Sequence, residues 1–82
     1  MKLGEHFKIA RKRLGLSQAE LGILLGKNNH VTVSQIENGK SNPTLETLLK
    51  LFQIPEMKQA FDNFVAENVK IKIRIITWQD KK

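Results

Sequence analysis

The stretch that decides the fold is Gly15-Leu16-Ser17-Gln18-Ala19-Glu20-Leu21, followed by Leu25-Gly26-Lys27-Asn28-Asn29-His30 and Val31-Thr32-Val33-Ser34-Gln35-Ile36-Glu37-Asn38-Gly39. Ser17 and Glu20 stand at capping-box spacing, in which the serine side chain bonds the amide of the glutamate and the glutamate bonds back. A helix over about residues 18–25 follows, with Leu21, Leu24 and Leu25 as its buried stripe and Gly26 as its stop. Lys27-Asn28-Asn29 reads as a turn in which either Asn can cap the next helix. That third helix is expected over about residues 30–38, ending at Gly39.

Upstream, Leu3, Phe7, Ala10 and Leu14 recur at helical spacing, which predicts a helix over about 3–14. Gly15 follows it as a residue able to take a left-handed conformation. Downstream, Ser41-Asn42-Pro43 is a loop, and Thr44 caps a fourth helix over about 45–53 with Leu45, Leu48, Leu49 and Phe52 on its stripe. Pro55 breaks the chain. A fifth helix over about 56–67 places Met57, Ala60, Phe61, Phe64 and Val65 inward. The fold class is therefore mainly α, with five short helices in one domain over residues 1–68.

Beyond that domain the period changes. Val69, Ile71, Ile73, Ile75 and Thr77 alternate with Lys70, Lys72, Arg74, Ile76 and Trp78, and period two with β-branched residues predicts a strand over 69–78, then a tail over 79–82. A lone strand leaves its backbone groups unpaired. Two copies pairing antiparallel across a two-fold axis would satisfy them, with Val69, Ile71, Ile73 and Ile75 buried as the dimer strand.

The 82 residues carry a formal charge of +6. Residues 1–68 hold nine Lys/Arg against seven Asp/Glu, whereas residues 69–82 hold five against Asp80 alone. Most of the excess therefore sits in the last fourteen residues, and a basic balance favours polyanionic partners. There is no cysteine, so neither disulfides nor thiolate metal sites are expected. No apolar run is long enough to span a membrane, and the N-terminus lacks a signal peptide's apolar stretch, which together suggest a cytoplasmic protein.

Helix, tight turn and helix with a polar outer face is the arrangement that enters a DNA major groove. At about 100° per residue Val33 and Ile36 project together as the buried pair of the third helix. His30, Val31, Ser34, Gln35 and Asn38 lie opposite, short-chained and without a carboxylate. Gln can bond adenine bidentately, Ser can bond several base edges, and Val can pack on a thymine methyl. Gln18 opens the second helix, where its amide can bond a phosphate or meet a base. Ser17, Lys27, Asn29 and Thr32, with Asn38, Lys40, Ser41 and Asn42 past the third helix, are candidate phosphate contacts that fix register.

The residues from Ile9 to Phe52 resemble the phage-repressor, or Xre-type, helix-turn-helix family. The likeness rests on Arg11, Gly15 to Leu21, Leu25-Gly26, Ile36-Glu37-Asn38-Gly39-Lys40 and Pro43-Thr44-Leu45-Glu46-Thr47-Leu48. It implies a five-helix, lambda-repressor-like fold, a homodimer on double-stranded DNA with a palindromic operator, and transcriptional repression, acting here on the protein's own promoter. By matched position it implies that Gln18, His30, Val31, Ser34 and Gln35 face bases, that Asn38 and Lys40 face phosphates, and that Arg11 pairs with Glu37. The turn after Gly26 is one residue longer than the family pattern and carries no apolar plug. The strand resembles the dimer strand of some antitoxins that are also DNA-binding repressors, so the alternative is an antitoxin that binds a partner toxin and represses its operon.

Other residues read more plainly. Lys8, Lys12 and Arg13 form a solvated helix face, and His6 is a surface residue. Two histidines without acidic or sulfur ligands at useful spacing make no metal site. Ser17 and Ser34 have no histidine at a recognisable spacing and no paired carboxylates suggest a cleft, so neither catalysis nor a cofactor is expected.

Overall fold

The computed structural model describes residues 1–68, and the expected strand over 69–78 lies outside the described residues. Five helices follow one another: α1 (Leu3–Arg13), α2 (Gln18–Leu24), α3 (Val31–Glu37), α4 (Leu45–Leu51) and α5 (Pro55–Asn68). Helices α2, α3 and α4 have only seven residues each. Isolated helices that short are unstable in water, so caps and burial must hold them. The Ser17 hydroxyl accepts from the Glu20 amide at 3.0 Å, and the Glu20 carboxylate accepts from the Ser17 amide at 2.8 Å. The latter contact, chiefly, holds the Glu20 carboxyl below its usual range. Thr44 caps α4 by accepting from the Thr47 amide at 3.2 Å.

One core joins all five helices: Phe7 and Ala10 from α1, Leu21 and Leu25 from the α2 segment, Val33 and Ile36 from α3, Leu51 from α4, and Met57 and Ala60 from α5. Leu24 is exposed instead of buried. Gly22 takes the inward place, because α2 turns that face onto the following loop. Leu45 and Leu49 are exposed as well, while Thr47 and Leu51 point inward. Five apolar residues among positions 45–52 outline two overlapping stripes, and periodicity cannot choose between them. The buried Thr47 hydroxyl is satisfied by accepting from the Thr44 hydroxyl at 3.0 Å.

His6 is buried, not a surface residue. Helix α1 packs against α3 on one flank and α5 on the other, so its buried arc is wider than the Leu3–Phe7–Ala10–Leu14 stripe. The imidazole sits edge-on to Phe64, with ring centroids 6.1 Å apart. Its Nε2 lies 3.2 Å from Glu67 Oε1 but off the alignment of a hydrogen bond. That polar contact first, and the terminal ammonium 3.2 Å from the same oxygen second, hold the Glu67 carboxyl below its usual range. Pro55 does not precede α5 but begins it, at a first-turn position where the missing N–H costs nothing.

The α2–α3 turn is set by two glycines. Gly26 has φ of 79°, which lets the Lys27 amide reach back to the Gly22 carbonyl at 2.8 Å and close the end of α2. The Lys50 ammonium also donates to the Leu25 carbonyl at 3.2 Å. Gly22 packs against the backbone of Asn29, and a methyl group placed there would overlap the Asn29 carbonyl oxygen. Since both sides of that contact are backbone, Gly22→Ala is expected to lower unfolding free energy by about 3 kcal/mol, read from the denaturant midpoint.

Candidate nucleic-acid interface

Helix α3 has two chemically distinct sides. Val33, Ile36 and Glu37 are buried, whereas Val31 and Gln35 are exposed and Thr32 and Ser34 half-buried. His30 is not within the helix but is its N-cap residue, exposed and without a side-chain capping bond. The turn is tied by Asn29, whose Oδ1 accepts from the Val31 amide at 2.9 Å. That bond uses the Asn29 oxygen and leaves its NH2 to donate. Asn38, the C-cap residue, donates from Nδ2 to Ser34 Oγ at 3.3 Å, so these two side chains lie together on the outer face.

The acid of α3, Glu37, points inward. Arg11 Nε donates to Glu37 Oε2 at 2.6 Å and Arg11 Nη2 to Oε1 at 3.1 Å, a two-pronged pair with both side chains almost fully buried. Arg11 Nη1 donates to the Leu16 carbonyl at 2.8 Å. Gln18, half-buried at the first position of α2, donates from Nε2 to Glu37 Oε1 at 3.1 Å. The Glu37 carboxylate thus accepts three bonds and joins α1, α2 and α3. Turning it inward also leaves the outer face of α3 without negative charge, which suits an approach to phosphates.

Around this face the structure gathers the candidate phosphate contacts in two groups. Ser17, Lys27 and Asn29 are exposed on the N-terminal side of α2 and in the turn before α3; Lys40, Ser41 and Asn42 are exposed in the segment after α3. Thr32 is half-buried in the first turn of α3. The Ser17 oxygen already serves the capping box, so only its hydroxyl proton is free to be donated. Among the described residues no group of three or more His, Cys, Asp or Glu could hold a metal ion, and no helix is long and apolar enough to cross a membrane.

Sequence reasoning missed the Gln18–Glu37 bond. The signal was present, since a glutamine opening one helix and a buried acid ending the next can meet only across a tight turn. It also missed Gly4, where α1 approaches the Ile36 carbonyl so closely that an added methyl would overlap it.

A polar-faced helix set behind a glycine-stopped turn on a five-helix body defines a helix-turn-helix DNA-binding domain. The helix-turn-helix family model matches residues 7–55, more than half of the chain, and the protein belongs to this family, the phage-repressor or Xre type. A protein of Haemophilus influenzae described as an uncharacterized HTH-type transcriptional regulator is 48% identical over 42 residues, which are 51% of this chain and 42% of that protein. This chain therefore matches less than half the length of that relative. No solved structure matches the chain.

Removing one member of a buried ion pair strands the other charge. Arg11→Met is therefore expected to cost about 3–5 kcal/mol, and adding Glu37→Met to it to recover most of the loss, as measured by urea unfolding of the single and double variants.

Proposed function

We propose that the protein is a sequence-specific transcription regulator that binds double-stranded DNA as a dimer and represses its own promoter. The observation that carries this reading is the partition of α3, with Val33, Ile36 and Glu37 inward and an outer face free of carboxylates. In this reading α3 lies in the major groove. Gln18, His30, Val31, Ser34 and Gln35 meet base edges, with Gln35 suited to adenine and Val31 to a thymine methyl. Ser17, Lys27, Asn29, Thr32, Asn38, Lys40, Ser41 and Asn42 grip phosphates on either side. Because that outer face has no Arg or Lys, affinity must come mostly from these flanking contacts and from the basic segment after residue 68.

Dimerisation is assigned to the segment over 69–78 through Val69, Ile71, Ile73 and Ile75, supported by the period-two alternation in the sequence. It sets two copies of α3 on half-sites of a palindromic operator, about one helical turn apart. The cationic side of the same segment, Lys70, Lys72 and Arg74, favours a second reading in which an acidic protein such as a toxin binds there and the protein is its antitoxin.

Fluorescence anisotropy with the DNA upstream of the protein's gene, against scrambled DNA over a salt series, tests the first reading. Tight binding to the upstream DNA alone is expected, falling steeply with salt and weakened about tenfold by Gln35→Ala. Equal, weak binding to both DNAs would overturn it. Deleting residues 69–82 is expected to give a folded monomer by light scattering, and an unchanged dimer mass would remove the segment from the interface.

A further inference from the structure

We infer that Glu37 is a positioning residue for base reading: it holds the Gln18 side-chain amide in one orientation, so that Gln18 presents a fixed acceptor and donor to an adenine. The inference rests on the proposed placement of Gln18 at the bases. A glutamine amide free to rotate presents its oxygen and its NH2 interchangeably. At the head of α2 it is not free, because a carboxylate only accepts hydrogen bonds. The nitrogen must face Glu37 Oε1, as it does at 3.1 Å. The flipped amide would set two oxygens against each other beside an almost fully buried carboxylate.

Glu37 in turn cannot swing with its guest. Both of its oxygens are held by Arg11, at 2.6 and 3.1 Å, and Arg11 is itself fixed by the Leu16 carbonyl at 2.8 Å. The chain of bonds runs from α1 through the end of α3 to the start of α2. It occupies one N–H of Gln18 and leaves the oxygen and the second N–H for a ligand. Those are the two groups that match the N6 amino group and N7 of adenine in the major groove. The ordering of a rotatable side chain is then complete before DNA arrives, which lowers the entropy lost on binding.

The experiment is selection of preferred sites from a randomised DNA library by the full-length wild type, by Gln18→Ala, and by the Arg11→Met/Glu37→Met double variant. In the wild type one position of each half-site is expected to prefer adenine, and Gln18→Ala to identify it by losing that preference alone. The double variant is expected to lose about tenfold or more of the preference at that same position and to keep it elsewhere. Combining the double variant with Gln18→Ala should then cost nothing further at that position. A folded double variant that keeps the adenine preference, or a Gln18→Ala variant that alters no position, overturns the inference while leaving sequence-specific binding standing. A wild type that selects no motif overturns both.

Should the double variant fail to fold, NMR of the wild type decides. The Gln18 side-chain NH2 is expected to show one proton shifted downfield and protected from exchange. Two rapidly exchanging protons, like those of the exposed Gln53, would overturn the inference.

Discussion

Arg11 and Glu37 carry opposite charges into the interior of a small protein, and the rest of the domain is arranged around keeping them satisfied. Each charge alone would be costly to bury. Together, with two bonds between them, a backbone carbonyl on one side and a glutamine amide on the other, they leave little charge unmatched. Apolar contacts are not directional, and a two-turn helix held by them alone can roll about its axis. The carboxylate removes that freedom. It fixes the rotation of α3 at its C-terminal end, and with it which residues of α3 face outward.

Backbone contacts do the same work at other points. The close approach of Gly4 to the Ile36 carbonyl seats the head of α1 against the end of α3, near the ion pair. Gly22 brings α2 against the turn that leads into α3. Capping bonds at Ser17, Asn29 and Thr44 start three helices that are too short to stand on their own. The three seven-residue helices therefore depend on the same few anchors, and loss of one is felt across the domain.

The five helices could be read from the sequence because caps and stops are local chemistry. Ser17 with Glu20, Thr44, and the glycines at 15, 26 and 39 mark boundaries whatever the tertiary fold. The identity of the inward residues was less legible in α2 and α4, where apolar side chains exceed the places available. Leu24, Leu45 and Leu49 match the helical period as well as their buried neighbours do, and only packing decides against them. His6 was misread for the related reason that α1 has two neighbours. A single stripe accounts for one partner helix, and the contact of His6 with Phe64 and Glu67 belongs to the other. At the site, the outer face of α3 follows from the angle of Val33 and Ile36, whereas the state of the Gln18 amide depends on two residues far from it in sequence.

The division of α3 between an anchored side and a bare one has an evolutionary reading. Val31 and Gln35 stand clear of the core, and Ser34 bonds only to the neighbouring Asn38. Exchanging them disturbs neither packing nor the buried charges, so this surface can drift with little effect on folding. Gln18 is different, since its amide is tied to the interior and a new side chain there must come to terms with Glu37. The scaffold is thus free to explore new partners through the body of α3 while one position at its border is inherited almost unchanged.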